Sequence, residues 1–247
     1  MRLDLCSWPE VEAYLARSRG IILPLGSSEQ HGPQGLIGTD SLCAEAIARG
    51  AGERAGALVA PVLPLGPAAF NTGFPGTVCV SARTFVELVS DVLESLWRGG
   101  FRLVYLLNGH GGCIAPARVA MLDLQARLPL RCVLRSWWEL PGADALRRQL
   151  YGAREGLHGT PSEIAITQAL FPGRAAGWGA RPWRPLDADT IRDHAGDNHE
   201  GPERHRAAFP DGIVGSDPTL ATPEHGRRLL QAAIEDAAAD YARLLAA

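Results

Sequence analysis

Between residues 101 and 107 the chain reads Phe-Arg-Leu-Val-Tyr-Leu-Leu, an almost unbroken apolar run. It stops at a loop of small residues, Asn108-Gly-His-Gly-Gly112, and gives way to an amphipathic stretch over about 116–128. A short continuous apolar run bounded by turn residues reads as a buried strand, and the stretch after it has the length of a helix. The same alternation recurs. Residues 21–25, Ile-Ile-Leu-Pro-Leu, read as a strand whose Pro24 implies a sheet edge or a strand end, and 40–55 reads as a helix. Arg131 to Ser136 reads as a further strand, and 223–245 as a closing helix with Leu229, Leu230, Ile234 and Tyr241 along one stripe. Strands and helices taking turns predict an α/β class: one layered domain over 1–247 with a mostly parallel central sheet. Residues 173–217, rich in Pro, Gly, Trp, Arg and His without a clear period, are expected to be a long irregular loop region of that domain.

Charge and composition remove several function classes. Lys and Arg number 24 against 27 Asp and Glu, a formal net charge of −3, so no basic excess is available for phosphates and nucleic acid is not an expected partner. The first nine residues lack an apolar stretch, and the apolar segment 57–70 is interrupted by Pro61, Pro64 and Pro67, so neither a signal peptide nor a membrane span is expected. Five cysteines without a C-x-x-C pair suggest neither a disulfide framework nor a thiolate zinc site, and point to the cytoplasm. Cys113, just after the glycine loop, reads as a buried thiol rather than a nucleophile.

The chemistry-bearing residues cluster at strand ends. Glu29-Gln-His31 follows the first strand, and residues two apart in an extended segment point to the same side, about 6.5 Å apart. Asp40 comes after a loop containing Gly32, Pro33, Gly35 and Gly38, supple enough to return a third polar group to the same place. Each also has a plainer reading, Asp40 as a helix cap and His31 as a hydrogen-bonded loop histidine. His110 sits between glycines at the carboxyl end of the strongest strand, where open α/β sheets place their sites. Thr160-Pro-Ser-Glu163 has the form of a capping box, so Glu163 is either a cap or a metal ligand. There is no G-x-G-x-x-G, G-K-[ST], G-x-S-x-G or H-E-x-x-H. The spacing from His199 to His205 is wrong for a zincin and contains Pro202. Carboxylates mixed with imidazoles suit Zn²⁺, Mn²⁺ or Fe²⁺.

The segment Leu23-Pro-Leu-Gly-Ser-Ser-Glu-Gln-His-Gly-Pro33 with Asp40, then Phe74-Pro-Gly-Thr77, Asn108-Gly-His-Gly-Gly112, His158 and Glu163, resembles the creatininase (creatinine amidohydrolase) family. A late segment, 215–226, resembles a stretch near the end of many members. The resemblance implies a creatininase-type α/β fold, commonly assembled as a homo-oligomer (a hexamer), and two divalent metal ions per chain. It implies that Glu29, Asp40 and His110 hold one ion, that His31 and a second carboxylate hold the other, and that Asp40 bridges them. In creatininases that second carboxylate lies two residues after the strand-end His, where this chain has Gly112, so Glu163 is the available replacement. The family's Trp four residues before the later His is Arg154 here, which argues against creatinine itself and offers a guanidinium to an anionic group, with Trp137 as a candidate aromatic wall. The implied activity is hydrolysis of a C–N bond in a small molecule, with His158 as proton shuttle. Members that open a non-amide or keto-inositol ring, or trim a peptide, mark the alternatives; a non-catalytic metal-binding protein is a further one.

Overall fold

The computed structural model describes residues 1–174, 182–194 and 199–247. Four strands, β1 (Gly20–Leu25), β2 (Leu58–Val59), β3 (Leu103–Asn108) and β4 (Arg131–Ser136), form one sheet in the order β2-β1-β3-β4, every pair parallel. Around it run α1 (Trp8–Leu15), α2 (Thr39–Ala55), α3 (Ala82–Arg98), α4 (Ile114–Gln125), α5 (Pro141–Tyr151) and α6 (Pro161–Leu170). After them come α7 (Ala188–Asp193), α8 (Pro202–Ala208) and α9 (Pro223–Ala246). This is the α/β parallel architecture expected from the alternation.

The apolar run of β3 is explained by burial on both faces. Tyr105 and Leu107 face a core shared with α2, α6 and α9, while Val104 and Leu106 face a second core shared with α3 and α4. β1 divides its residues the same way, Ile22 to the first core and Ile21, Leu23 and Leu25 to the second. Side chains alternate across a strand, so a strand covered on both sides must be apolar at every position.

Of the two readings of Pro24 the strand end holds and the edge does not, since it is the penultimate residue of β1, which is paired on both sides. The proline is accommodated otherwise. The carbonyls of Ile22 and Pro24 accept from the Ala60 and Leu63 N–H groups, so the chain beyond β2 stays tied to β1 through acceptors although Pro24 has no N–H to donate. β2 is only two residues long because Pro61 and Pro64 interrupt its continuation. α4 starts two residues before Pro116, since a proline in the first turn lacks only an N–H that has no intrahelical partner.

The 173–217 segment is less irregular than its composition suggests. Within the described residues it carries α7, capped by the Asp187 side chain accepting from the Thr190 N–H, and α8, opened by Pro202 at its first position. The expected loop residues 175–181 and 195–198 lie outside the described residues. Among the described residues no helix is long and apolar enough to cross a membrane.

α9 buries Leu229 and Tyr241 as expected, and Leu230 and Ile234 pack at the margin of the same core. Its start crosses α6 so closely that a methyl added at Gly226 would overlap the Ala165 carbonyl oxygen. Backbone cannot step aside as a flexible side chain can. Gly226→Ala is therefore expected to cost about 1–3 kcal/mol of unfolding free energy. Gly173→Ala, where the added methyl meets nothing within 4 Å among the described residues, should leave thermal or denaturant melting unchanged.

Candidate metal centre

β1, β3 and β4 end in register, Leu25 beside Asn108 beside Ser136, so the loops after them emerge at one sheet edge. The loop after β1 is held on two sides, Glu29 N–H donating to the Ile37 carbonyl (2.8 Å) and Gln30 N–H to the Thr77 hydroxyl (3.1 Å). Gly32, at φ 68°, then turns the chain in the left-handed region and returns it toward α2. Asp40 lies in the first turn of α2, but Gly38 is the N-cap and no side chain caps there. The capping reading of Asp40 therefore gives way to a different set of contacts.

Each Asp40 oxygen meets one histidine. Oδ1 lies 2.9 Å from His31 Nε2, and Oδ2 lies 3.1 Å from His110 Nδ1 while accepting from the Ser27 hydroxyl at 2.8 Å. Glu29 Oε1 is 3.2 Å from His110 Nδ1 and 3.7 Å from His158 Nδ1. Glu163 Oε2 approaches His31 Nε2 at 3.8 Å. Glu29, Asp40 and His110 thus form one potential ligand set, and His31, Asp40 and Glu163 another, with Asp40 common to both. Glu29, His31 and His158 form a third.

The three imidazoles share one arrangement. His31 Nδ1 lies 3.0 Å from the Glu29 carbonyl, His110 Nε2 lies 2.7 Å from the Pro67 carbonyl, and His158 Nε2 lies 2.7 Å from the Gln30 carbonyl. A carbonyl only accepts, so each ring places an N–H there and turns its other nitrogen toward the carboxylates. This is how ligating histidines are fixed in tautomer and orientation. Glu29 is fully buried, and its Oε2 accepts no hydrogen bond among the described residues. A buried carboxylate left in that condition is costly unless a cation compensates it, so the donor set fits a metal ion.

The electrostatics agree. Burial by itself would lower the His31 pKa, but the carboxylates of Asp40, Glu163 and Glu29 overcome it and raise the value to about 10. His110 is raised likewise, against its burial, by Glu29 and Asp40. Burial would raise the Asp40 carboxyl, yet the two histidines hold it well below the usual carboxylate range. Glu163 is pushed up to about 7, chiefly by burial and further by Asp40, with His31 opposing.

Glu163 caps its helix with one oxygen and still turns the other toward the cluster, so the cap does not exclude the ligand role. It is the third residue of α6, and its Oε1 accepts from the Thr160 N–H at 2.5 Å as the closing half of a capping box. Its Oε2 is the oxygen that faces His31. At Gly112 a side chain has no room, because a Cβ would lie 2.6 Å from His110 Nε2 and would overlap the Pro67 carbonyl oxygen.

A cavity of about 430 Å³ opens on the cluster, lined among others by Glu29, Asp40, His110, His158 and Glu163. Trp137 reaches its wall but is 1% exposed and belongs to the core, while Trp138, edge-on to it, is the half-buried member of the pair. Arg154 is not brought to this cavity. Its guanidinium pairs with Asp217 at 2.9 Å and lies over the Trp183 ring at 5.1 Å. Sequence reasoning missed Ser27, which orients Asp40, and the cavity residues Arg118, Arg147 and Glu155. Ser27 stands beside the E-x-H motif and could have been noticed; the other three depend on helix phase and tertiary contact.

Comparison with known proteins agrees with this geometry. Residues 4–240 match the creatininase family profile, described as creatinine amidohydrolase. The chain is 30% identical to a creatinine amidohydrolase of Pseudomonas putida over 76% of its own length and 74% of the relative's. It is 29% identical to a mycofactocin precursor peptide peptidase of Mycobacterium ulcerans over 90% and 84%. A third relative, a 3-dehydro-scyllo-inosose hydrolase of Thermotoga maritima, is 29% identical over 62% of this chain and 50% of its own. Among solved structures, a Glu-to-Gln creatininase variant described as Zn-Zn type superposes with a TM-score of 0.77 at 26% identity, covering 99% of this chain and 98% of that one. A creatininase structure labelled Mn superposes at 0.76 and 25%, with the same coverage. On fold, motif and profile together, the chain belongs to the creatininase family of hydrolases.

Proposed function

We propose that this protein is a metal-dependent amidohydrolase that cleaves a C–N bond of a small molecule. In this reading Glu29, His31, Asp40, His110 and Glu163 hold two divalent cations, with Zn²⁺ first and Mn²⁺ or Fe²⁺ as the other candidates. The observation that carries it is the set of three imidazoles, each tied through one nitrogen to a backbone carbonyl and each turned through the other toward buried carboxylates. Zn and Mn creatininase structures of the same fold support the choice of metals. Cations held by these residues would supply Lewis acidity for activating a water and polarising a scissile carbonyl.

The chain's own groups supply the rest. Asp40, steadied by Ser27, keeps His31 and His110 at a fixed separation. His158, with Nε2 tied to Gln30 and Nδ1 facing Glu29, is placed to carry a proton from the cluster to the leaving nitrogen. Trp138 bounds the cavity at its rim, whereas Trp137 backs the wall from the core. Peptide trimming is the second reading, favoured by the extent of the match to the mycofactocin precursor peptidase, and it breaks the same class of bond. The proposal includes a cytoplasmic homo-oligomer. Five free thiols suit a reducing compartment, and the exposed Leu5, Trp8 and Leu122 are apolar surface that assembly would cover.

Elemental analysis of supplemented protein should find close to two divalent ions per chain. A panel of linear amides, cyclic amides, short peptides and sugar-like ring substrates, read for released amine against released acid, should show amine release that chelation abolishes. Acid release without amine would instead favour the non-amide reading.

Metal uptake should also displace protons. His31, with its pKa raised to about 10, and His110, raised as well, are protonated near neutrality in the metal-free protein. Cation binding near pH 7.5 should therefore release protons, and affinity should weaken as pH falls. Calorimetry in buffers of different ionisation enthalpy measures this, and proton-neutral binding would contradict it.

Two amide substitutions separate ligand from shuttle. Glu163→Gln can keep the cap on Thr160 but loses the charge facing His31, so melting should change little while one cation per chain and turnover are lost. His158→Gln should retain both cations yet lower turnover by about 10²–10⁴-fold. Loss of metal in His158→Gln, or full metal and activity in Glu163→Gln, would reverse the assignments.

A further inference from the structure

We propose that Arg118 anchors a carboxylate on the substrate, so that this site takes carboxylate-bearing amides in preference to neutral ones. The inference rests on the amidohydrolase reading for the reaction, though not for the binding preference itself.

Arg118 stands on α4, the helix that begins directly after the His110 loop, and it lines the same cavity as Glu29, Asp40 and His110. Ile114 also lines that cavity, and residues four apart share a helix face, so this face of α4 forms part of the wall. The guanidinium has no ion pair or hydrogen bond among the described residues, and Glu139, an acid lining the same cavity, does not pair with it.

Four other helical arginines are treated differently, whereas Arg83 and Arg228, which do not line this cavity, share the lack of a partner among the described residues. Arg98, Arg148, Arg227 and Arg243 each pair with an acid three or four residues earlier. Around Arg118 the corresponding neighbours are Ile114, Ala115, Met121 and Leu122, none of which can accept its charge. Arg147, the other arginine lining the cavity, is already committed to Asp144 at 3.0 Å and Glu155 at 3.2 Å. Among the described residues, Arg118 is therefore the arginine on this wall that a ligand can engage.

The charge of the site permits an anion there. When cations compensate the carboxylates of Glu29, Asp40 and Glu163, the cluster no longer repels negative charge. The planar guanidinium fork then matches a carboxylate in two parallel hydrogen bonds. Arg154, with its guanidinium given to Asp217, does not compete for this role.

The test compares N-acetylglycine, which carries a carboxylate, with neutral N-acetylglycinamide, using metal-loaded protein and following tryptophan fluorescence, to which Trp138 at the cavity contributes. Wild-type protein should bind the anionic probe at least about tenfold more tightly. Arg118→Gln should erase most of that preference without changing affinity for the neutral probe, and Arg118→Lys should restore part of it. Any direct carboxylate-metal contact is common to all three proteins, so the difference between them isolates Arg118. Equal affinities in the wild type, no measurable binding of the anionic probe, or a preference that survives Arg118→Gln overturns the proposal. A preference that depends on Arg118 while neither probe is ever hydrolysed would uphold the subsite and count against the amidohydrolase reading.

Discussion

Three carboxylates gathered in the interior of a protein repel one another and lose their hydration, and the centre described above depends on how that cost is met. Asp40 meets it by giving one oxygen to each of two histidines, and Glu163 by dividing its oxygens between a backbone N–H and an imidazole. Glu29 is met less completely: it is fully buried, its Oε1 lies 3.2 Å from His110 Nδ1, and its Oε2 accepts no hydrogen bond among the described residues. Burying charge that is incompletely compensated costs several kcal/mol even after relaxation, which a fold tolerates where a cation completes the set. Much of the surrounding structure serves to keep these groups from relaxing apart.

The parallel sheet provides the means. Strands that end in register deliver Glu29, His31 and His110 from adjacent loops to one edge, and both faces of the sheet are covered by helices. The first turn of α2 brings Asp40, and the first turn of α6 brings Glu163. Helix starts carry partial positive charge, so both carboxylates also sit where the macrodipole favours them. Strand ends contribute mostly imidazoles and helix starts contribute acids, a division that follows from the backbone before any ligand is considered.

How far this was legible in the sequence depends on the range of the interactions involved. The β3 run, the E-x-H pair, Asp40 and His110 are local signals, readable from period, glycine content and spacing, whereas His158 stood out only through the family resemblance; the α/β class follows from the alternation of strands and helices. The roles of Asp40 and Glu163 were not decidable locally, because a helix-start acid has the same neighbours whether or not it also reaches across the fold. The Pro67 carbonyl, which fixes His110, lies 43 residues away in the chain and carries no residue-type signature. Arg154 was misplaced for a similar reason, since its partner Asp217 is 63 residues distant. Pro24 left an edge and a strand end both open, because a proline reports the loss of one donor and not which of the two arrangements accommodates it.

The divided carboxylate of Glu163 has an implication for the metal-free protein. One oxygen closes the first turn of α6, and α6 lies directly against the start of α9, where Gly226 meets Ala165. If Glu163 holds a cation as proposed, emptying that site would leave His31 as the nearest compensation for its other oxygen and weaken the hold on the residue that pins the helix start. The opening free energy of this corner is then linked to cation activity by mass action. Amide exchange along α6 and the first turns of α9 would report occupancy of a site several residues away, and starvation for metal would be felt first as breathing of two packed helices.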